Sequence, residues 1–116
     1  MKSKILGVLE NLVESEGVKA SAVLSKDGML LSYCNGGIPA EVLPSILAMM
    51  AKCAEKCLKL LDSGEMDYIL IKAEKGLVLT QLCPTFIISV MVNVDINMDF
   101  VLSEVKKARK RIKDIL

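Results

Sequence analysis

The sequence predicts an α/β fold of the α+β kind, a three-layer α/β/α sandwich, and three observations predict it. A long helical period from Ala40 to Asp62 separates two groups of β-prone segments. The links within each group are only a few residues long, which permits antiparallel neighbours and excludes crossovers. The later strands carry apolar residues on both faces, so the sheet needs cover on both sides. With 116 residues the chain is long enough for one domain with a real core, expected over residues 1–116. The element order reads α-β-β-α-β-β-β-α. The middle helix is expected on one face of the sheet and the terminal helices on the other.

The first element spans Lys2 to Glu16. Ile5, Leu9, Leu12 and Val13, with Leu6 and Val8, form its apolar face, and Gly17 is placed to cap its end. Val18 to Cys34 reads as a hairpin. VKASAVLS and MLLSYC flank Lys26-Asp27-Gly28, and Asp-Gly between β-prone runs is a turn signal because glycine accepts positive φ. Asn35-Gly36-Gly37 then links to the middle helix.

Pro44 lacks an N–H and fits the first turn of that helix, where amides have no partners. Leu43, Ile46, Leu47, Met50, Cys53, Ala54, Cys57, Leu58 and Leu61 are expected to share its buried face. In the second half Lys52, Glu55, Lys56, Lys59 and Asp62 form the opposite, charged face. In the first half that opposite face carries Ser45, Ala48 and Met49, so Ile46 to Ala51 is apolar all round. Such a helix is buried from more than one side. The second cover is either another protein surface or a loop of the same chain.

Ser63-Gly64-Glu65 ends the helix. Asp67–Ala73, Leu77–Leu82 and Phe86–Asn93 follow as a three-stranded meander. The last helix runs from Met98 to Ile115, with Asn97 as N-cap and Asp99 at the positive end of the dipole. Val101, Leu102, Val105, Ala108, Ile112 and Ile115 make its buried stripe. Lys106, Lys107, Arg109, Lys110, Arg111 and Lys113 crowd the other side and read as a solvated face.

Composition narrows the chemistry. There is no histidine, which removes His-based acid–base catalysis, Ser-His-Asp triads and His-ligated metals. There is no tryptophan, and only two Tyr and two Phe are present, too few for base-stacking recognition of nucleic acid. The net charge of +1 sets up no global field for nucleic acid or membrane. Mean hydropathy is high, +0.47, yet no apolar run reaches membrane-spanning length. A cytoplasmic protein is expected, touching membranes only through a partner. Cys34, Cys53, Cys57 and Cys83 have neither disulfide nor zinc spacing and are expected to be buried, reduced thiols. No phosphate-cradling glycine motif occurs, so no cofactor is expected.

The hairpin residues Gly17, Val18, Ala20, Ala22, Val23, Ser25, Asp27 and Gly28, closed by Leu31 and Ser32, resemble the GV-x-A-x-x-V-x-S-x-DG pattern of the roadblock/dynein light chain family. Ala54-Glu55, the YILI run from Tyr68, and Gly76 also fit, in the right order. Lys19 and Pro44 are less usual there. The resemblance covers nearly the whole chain. It implies a five-stranded antiparallel sheet between one helix and two, and a homodimer built on the middle helix and the strand after it. It further implies association with small Ras-like GTPases, as in bacterial and archaeal members, or a scaffold role, as in eukaryotic relatives. Any GTP would belong to the partner. The reading is therefore a non-catalytic homodimer that regulates or anchors such a GTPase, with a purely structural subunit as the alternative. An enzyme fits less well, because no acid, base and nucleophile come together. The expected contact residues are Val42, Ser45, Ala48, Met49, Lys52, Tyr68 and Leu70.

Overall fold

The computed structural model describes all residues except Met1, Gly36 and Ile38, and only the backbone of Lys2. Gly36, in the expected Asn35–Gly37 link, lies outside the described residues. The elements are α1 (Lys2–Glu14), β1 (Val18–Leu24), β2 (Leu30–Cys34), α2 (Leu43–Leu60), β3 (Ile69–Lys72), β4 (Leu77–Leu82), β5 (Ile87–Val92) and α3 (Met98–Ile115). This is the predicted order. The five strands form one sheet in the order β2-β1-β5-β4-β3, with every neighbouring pair antiparallel. The hairpin and the meander thus join through β1 and β5, with Ser21 opposite Val90 and Val23 opposite Ile88.

Strand alternation distributes the side chains between two cores. On one face Ile5, Val8, Leu9 and Leu12 of α1 and Val101, Val105, Ala108 and Ile112 of α3 pack on Val23, Leu79, Phe86, Ile88 and Val90. Burying each large side chain there contributes about 1.5–3 kcal/mol. Ser21 sits in this layer with its hydroxyl donating to the Leu9 carbonyl at 3.0 Å, which ties α1 to β1. On the other face Leu47, Ala48 and Ala51 of α2 pack on Leu24 and Ile87, flanked by Leu43, Met50, Ile69, Val78 and Leu82. Thr80 and Ser89, a directly opposed cross-strand pair, are fully buried and share a 2.9 Å hydrogen bond. The helices lie as predicted, α2 alone on one face and α1 with α3 on the other.

The ends show the local chemistry. Asn97 caps α3, its side-chain oxygen accepting from the Phe100 amide at 3.2 Å. Pro44 stands in the first turn of α2, and Val42 at the cap position supplies no side-chain hydrogen bond. The helix stops because Asp62 turns left-handed at φ 52, and the Ser63 amide then bonds back to the Leu58 carbonyl at 3.0 Å. The last helical residue, Leu60, thus falls three residues before the Ser63-Gly64-Glu65 signal. Gly28 serves two purposes. It has φ +95, and a Cβ there would lie 3.0 Å from Ser45 Cα, so the hairpin turn rests directly on the first turn of α2. Edges are shorter than expected: α1 stops at Glu14 and β3 covers only Ile69–Lys72.

Candidate partner interface

The buried side of α2 matches the expected one only in part: Leu47 is buried and Leu43, Met50, Ala54 and Leu58 are half-buried. Pro44, Leu47, Ala48 and Ala51 face the sheet. Ala48, expected in a partner contact, is 4% exposed and belongs to the chain's own core. The cause is the turn at Gly28, which approaches so closely that only a small side chain fits beneath it; a Cβ on Gly28 would meet Ala48 Cβ at 3.5 Å. Ile46, Cys53, Cys57 and Leu61, expected inside, point to solvent.

This rotation creates a second apolar stripe. Val42, Ile46, Met49, Cys53, Cys57 and Leu60 follow one another at spacings of three or four residues and are all exposed. Ile46 is 52% exposed and Met49 65%. Helices normally place such a stripe against something. Ser45 and Lys52 lie on its polar flank, both exposed. Val42 and Met49, expected in the partner contact, are both exposed. The spacing of 42, 46, 49, 53, 57 and 60 fits one helical stripe, but nothing in that spacing says whether the stripe faces the sheet or solvent.

The edge strand β3 adjoins this surface. Its partner is β4 on one side only, so its other backbone edge is unpaired. Ile69 leans into the α2 core, and alternation puts Ile71, 42% exposed, on the same face. Tyr68 and Leu70 fall on the opposite face, toward the α1–α3 layer, and remain partly exposed. The structure thus does not bring Tyr68 and Leu70 onto the same face as Val42 and Met49. Ile71 takes that place.

Several clefts open on the surface of the described residues. One of about 520 Å³, between the end of α2 and the β4–β5 turn, is lined by Lys26, Glu55, Lys59, Asp62, Glu65 and Cys83 among others. Burial pushes the Cys83 thiol up to about 11, offset only partly by Arg109 and Lys26. Among the described residues no three His, Cys, Asp or Glu side chains are grouped to hold a metal. No described helix is long and apolar enough to cross a membrane.

The thiols separate into two kinds. Cys53 and Cys57 are exposed, against the expectation of burial, whereas Cys83 is buried and Cys34 partly so. In the single folded chain Cys53 and Cys57 are expected to react with a thiol reagent at once, and Cys83 only on unfolding. The sign is fixed by the raised Cys83 value. Its ordinary value is 9.0, so the folded chain keeps the proton up to about 11 and loses relative stability across that alkaline window. Timed alkylation read by mass spectrometry checks this; prompt labelling of Cys83 would contradict it.

A five-stranded antiparallel sheet with one helix on one face and two on the other defines the class of small domain. The chain belongs to the Roadblock/LC7 domain family, whose model matches residues 4–92. It is similar to protein MJ1340 of Methanocaldococcus jannaschii, 27% identical over 107 residues that cover 91% of this chain and 94% of that one. Among solved structures it is similar to Myxococcus xanthus MglB, with TM-score 0.90, 20% identity and coverage of 98% and 88%. It is also similar to a Roadblock/LC7 domain from Streptomyces avermitilis, with TM-score 0.87, 12% identity and 95% coverage of each chain. At these identities the solved structures establish the shared fold.

Proposed function

We propose that the protein is a homodimeric, non-catalytic module that regulates or anchors a small Ras-like GTPase in the cytoplasm. The whole chain acts as one domain and holds no cofactor. The observation that carries this reading is the second apolar face of α2, from Val42 to Leu60, which the chain's own sheet does not cover. Two such faces, set side by side by a two-fold axis, form one composite patch with the character of a protein-recognition surface. The unpaired edge of β3 offers backbone hydrogen bonds to the same neighbour. Membership of the roadblock family supports the partner class, and one MglB structure, described as a tetrameric arrangement, supports self-association.

A regulator must bind the partner's two nucleotide states with different affinity, because only differential binding shifts an equilibrium. The test is titration against Ras-like GTPases of the same genome, loaded with GDP or with a non-hydrolysable GTP analogue. A difference of about tenfold or more between the states is expected, a coupling of about 1.4 kcal/mol. Equal affinity would favour the second reading, a structural subunit that uses the same α2 surface without sensing nucleotide. Absence of binding to all of them would remove the GTPase from the proposal.

A further inference from the structure

The face of the molecule opposite α2 carries a different kind of surface. Over Lys106 to Lys113 the sequence reads KKARKRIK, with six cations and no carboxylate. The rest of the chain then holds nine Lys and Arg against fourteen Asp and Glu, so the near-neutral total conceals a strong segregation of charge. Lys106, Lys107, Lys110, Arg111 and Lys113 are exposed and Arg109 is half-buried. The helix dipole accounts for a cation or two in the last turn, but not for two full turns of them. Among the described residues one ion pair engages this face, Lys107 with Glu104 at 3.8 Å. Among the described residues the remaining cations of this face form no ion pair.

From this we infer that the exposed face of α3 docks on an anionic lipid surface. A protein partner would need an apolar centre to desolvate, and the basic run Lys106–Lys113 exposes no large apolar side chain, the exposed Phe100 and Leu116 lying toward the two ends of α3. A nucleic-acid groove would need the helix to enter it, but α3 is held down along its length by Val101, Val105, Ala108 and Ile112. Only its convex side is free, and no Tyr, Phe or Trp lies within Lys106–Lys113 to stack on bases. Four of the six cations are lysines, point charges on flexible stems that suit a plane of headgroups rather than bidentate recognition of one phosphate. The apolar stripe of α3 is spent in the core, so the contact is electrostatic and peripheral, with no insertion into the bilayer.

The inference stands independently of the proposed GTPase contact, which uses the other face, and its test needs no partner. The full chain is sedimented with phosphatidylcholine vesicles and with vesicles that also contain phosphatidylglycerol. Binding is expected to the second kind only, and it should fall at least about tenfold on moving from low to high salt, because exposed charges are screened within a few ångströms at about 1 M. The combined change Lys106→Gln, Lys110→Gln and Lys113→Gln is expected to abolish sedimentation. Lys→Arg at the same positions should retain it, and circular dichroism confirms the fold of both. The vesicle assay contains no GTPase, so failure of the GTPase reading is distinguishable from failure of this one. Absence of binding to the anionic vesicles would overturn the inference, as would equal binding to neutral vesicles or unchanged binding by the Gln variant. Tighter binding to a duplex oligonucleotide than to the vesicles would also overturn it and reassign the face to nucleic acid.

Discussion

Ala48→Arg is expected to unfold the protein rather than to separate two copies of it. Ala48 is 4% exposed and packs with Leu24, Leu47, Ala51 and Ile87 under the hairpin turn. An arginine there has no route to water that avoids the turn, since the space is already tight enough to require glycine at position 28. Overpacking costs about 1–3 kcal/mol and the stranded charge adds to it, against a total stability of about 5–15 kcal/mol for a domain of this size. A drop in melting temperature of about 10 °C or more is the expected result in a thermal melt. A variant that melts like the parent but runs as a monomer would instead return Ala48 to the partner surface.

The reverse pattern is expected for Ile46→Asp combined with Met49→Asp. These side chains are 52% and 65% exposed, so the change should move the melting temperature of the isolated chain by only a few degrees. In the assembled protein the same carboxylates would be buried at the centre of the contact without partners. Truncation of central residues costs about 2 kcal/mol or more per site in such interfaces, and a buried charge costs more, so self-association should weaken at least about a hundredfold. Light scattering after gel filtration reads this directly. The parent is expected at twice the 12.6 kDa chain mass and the variant at the single-chain mass. A variant that remains dimeric would place the contact elsewhere, with β2, the other free edge of the sheet, the next surface to test.

The two expectations differ because of what the sequence could and could not convey about α2. The elements were legible from local signals: the Asp27-Gly28 turn, Asn97 at the cap of α3, and Gly17 with φ +86 after α1. The layering followed from strands apolar on both faces. The rotation of α2 about its axis was not legible, because apolar residues cover well over half of its circumference. Periodicity finds an apolar sector only when a polar one opposes it. What decided the rotation was the approach of Gly28 to Ser45, a contact between segments far apart in sequence. Small residues were correctly read as permitting close approach, but the approaching group is the chain's own turn. Cys53 and Cys57 follow from the same rotation, which carries them outward. Tyr68 and Leu70, expected in one contact with the α2 residues, instead fall on the face away from α2, with Tyr68 just before β3, for a matching reason. Alternation separates the two sides of β3 with certainty, but which side meets α2 depends on the tertiary placement of Ile69.

The strand order has a consequence for how firmly each part of the sheet is held. β1, β5 and β4 lie in the middle and are buried along nearly their whole length, whereas β3 is exposed at three of its four residues. Free energies of local opening follow such differences, rising from frayed rims to the centre of a sheet. β3 is therefore the strand that detaches at least cost, and its amide hydrogens are the ones that trade with solvent most readily. A neighbour pairing with it must first hold it still, and part of the association energy goes into that ordering. The sheet therefore has a firm centre, at Val23, Ile88 and Leu79, and a weakly held rim, and hydrogen exchange is expected to be faster at the amides of β3 than at those of β5.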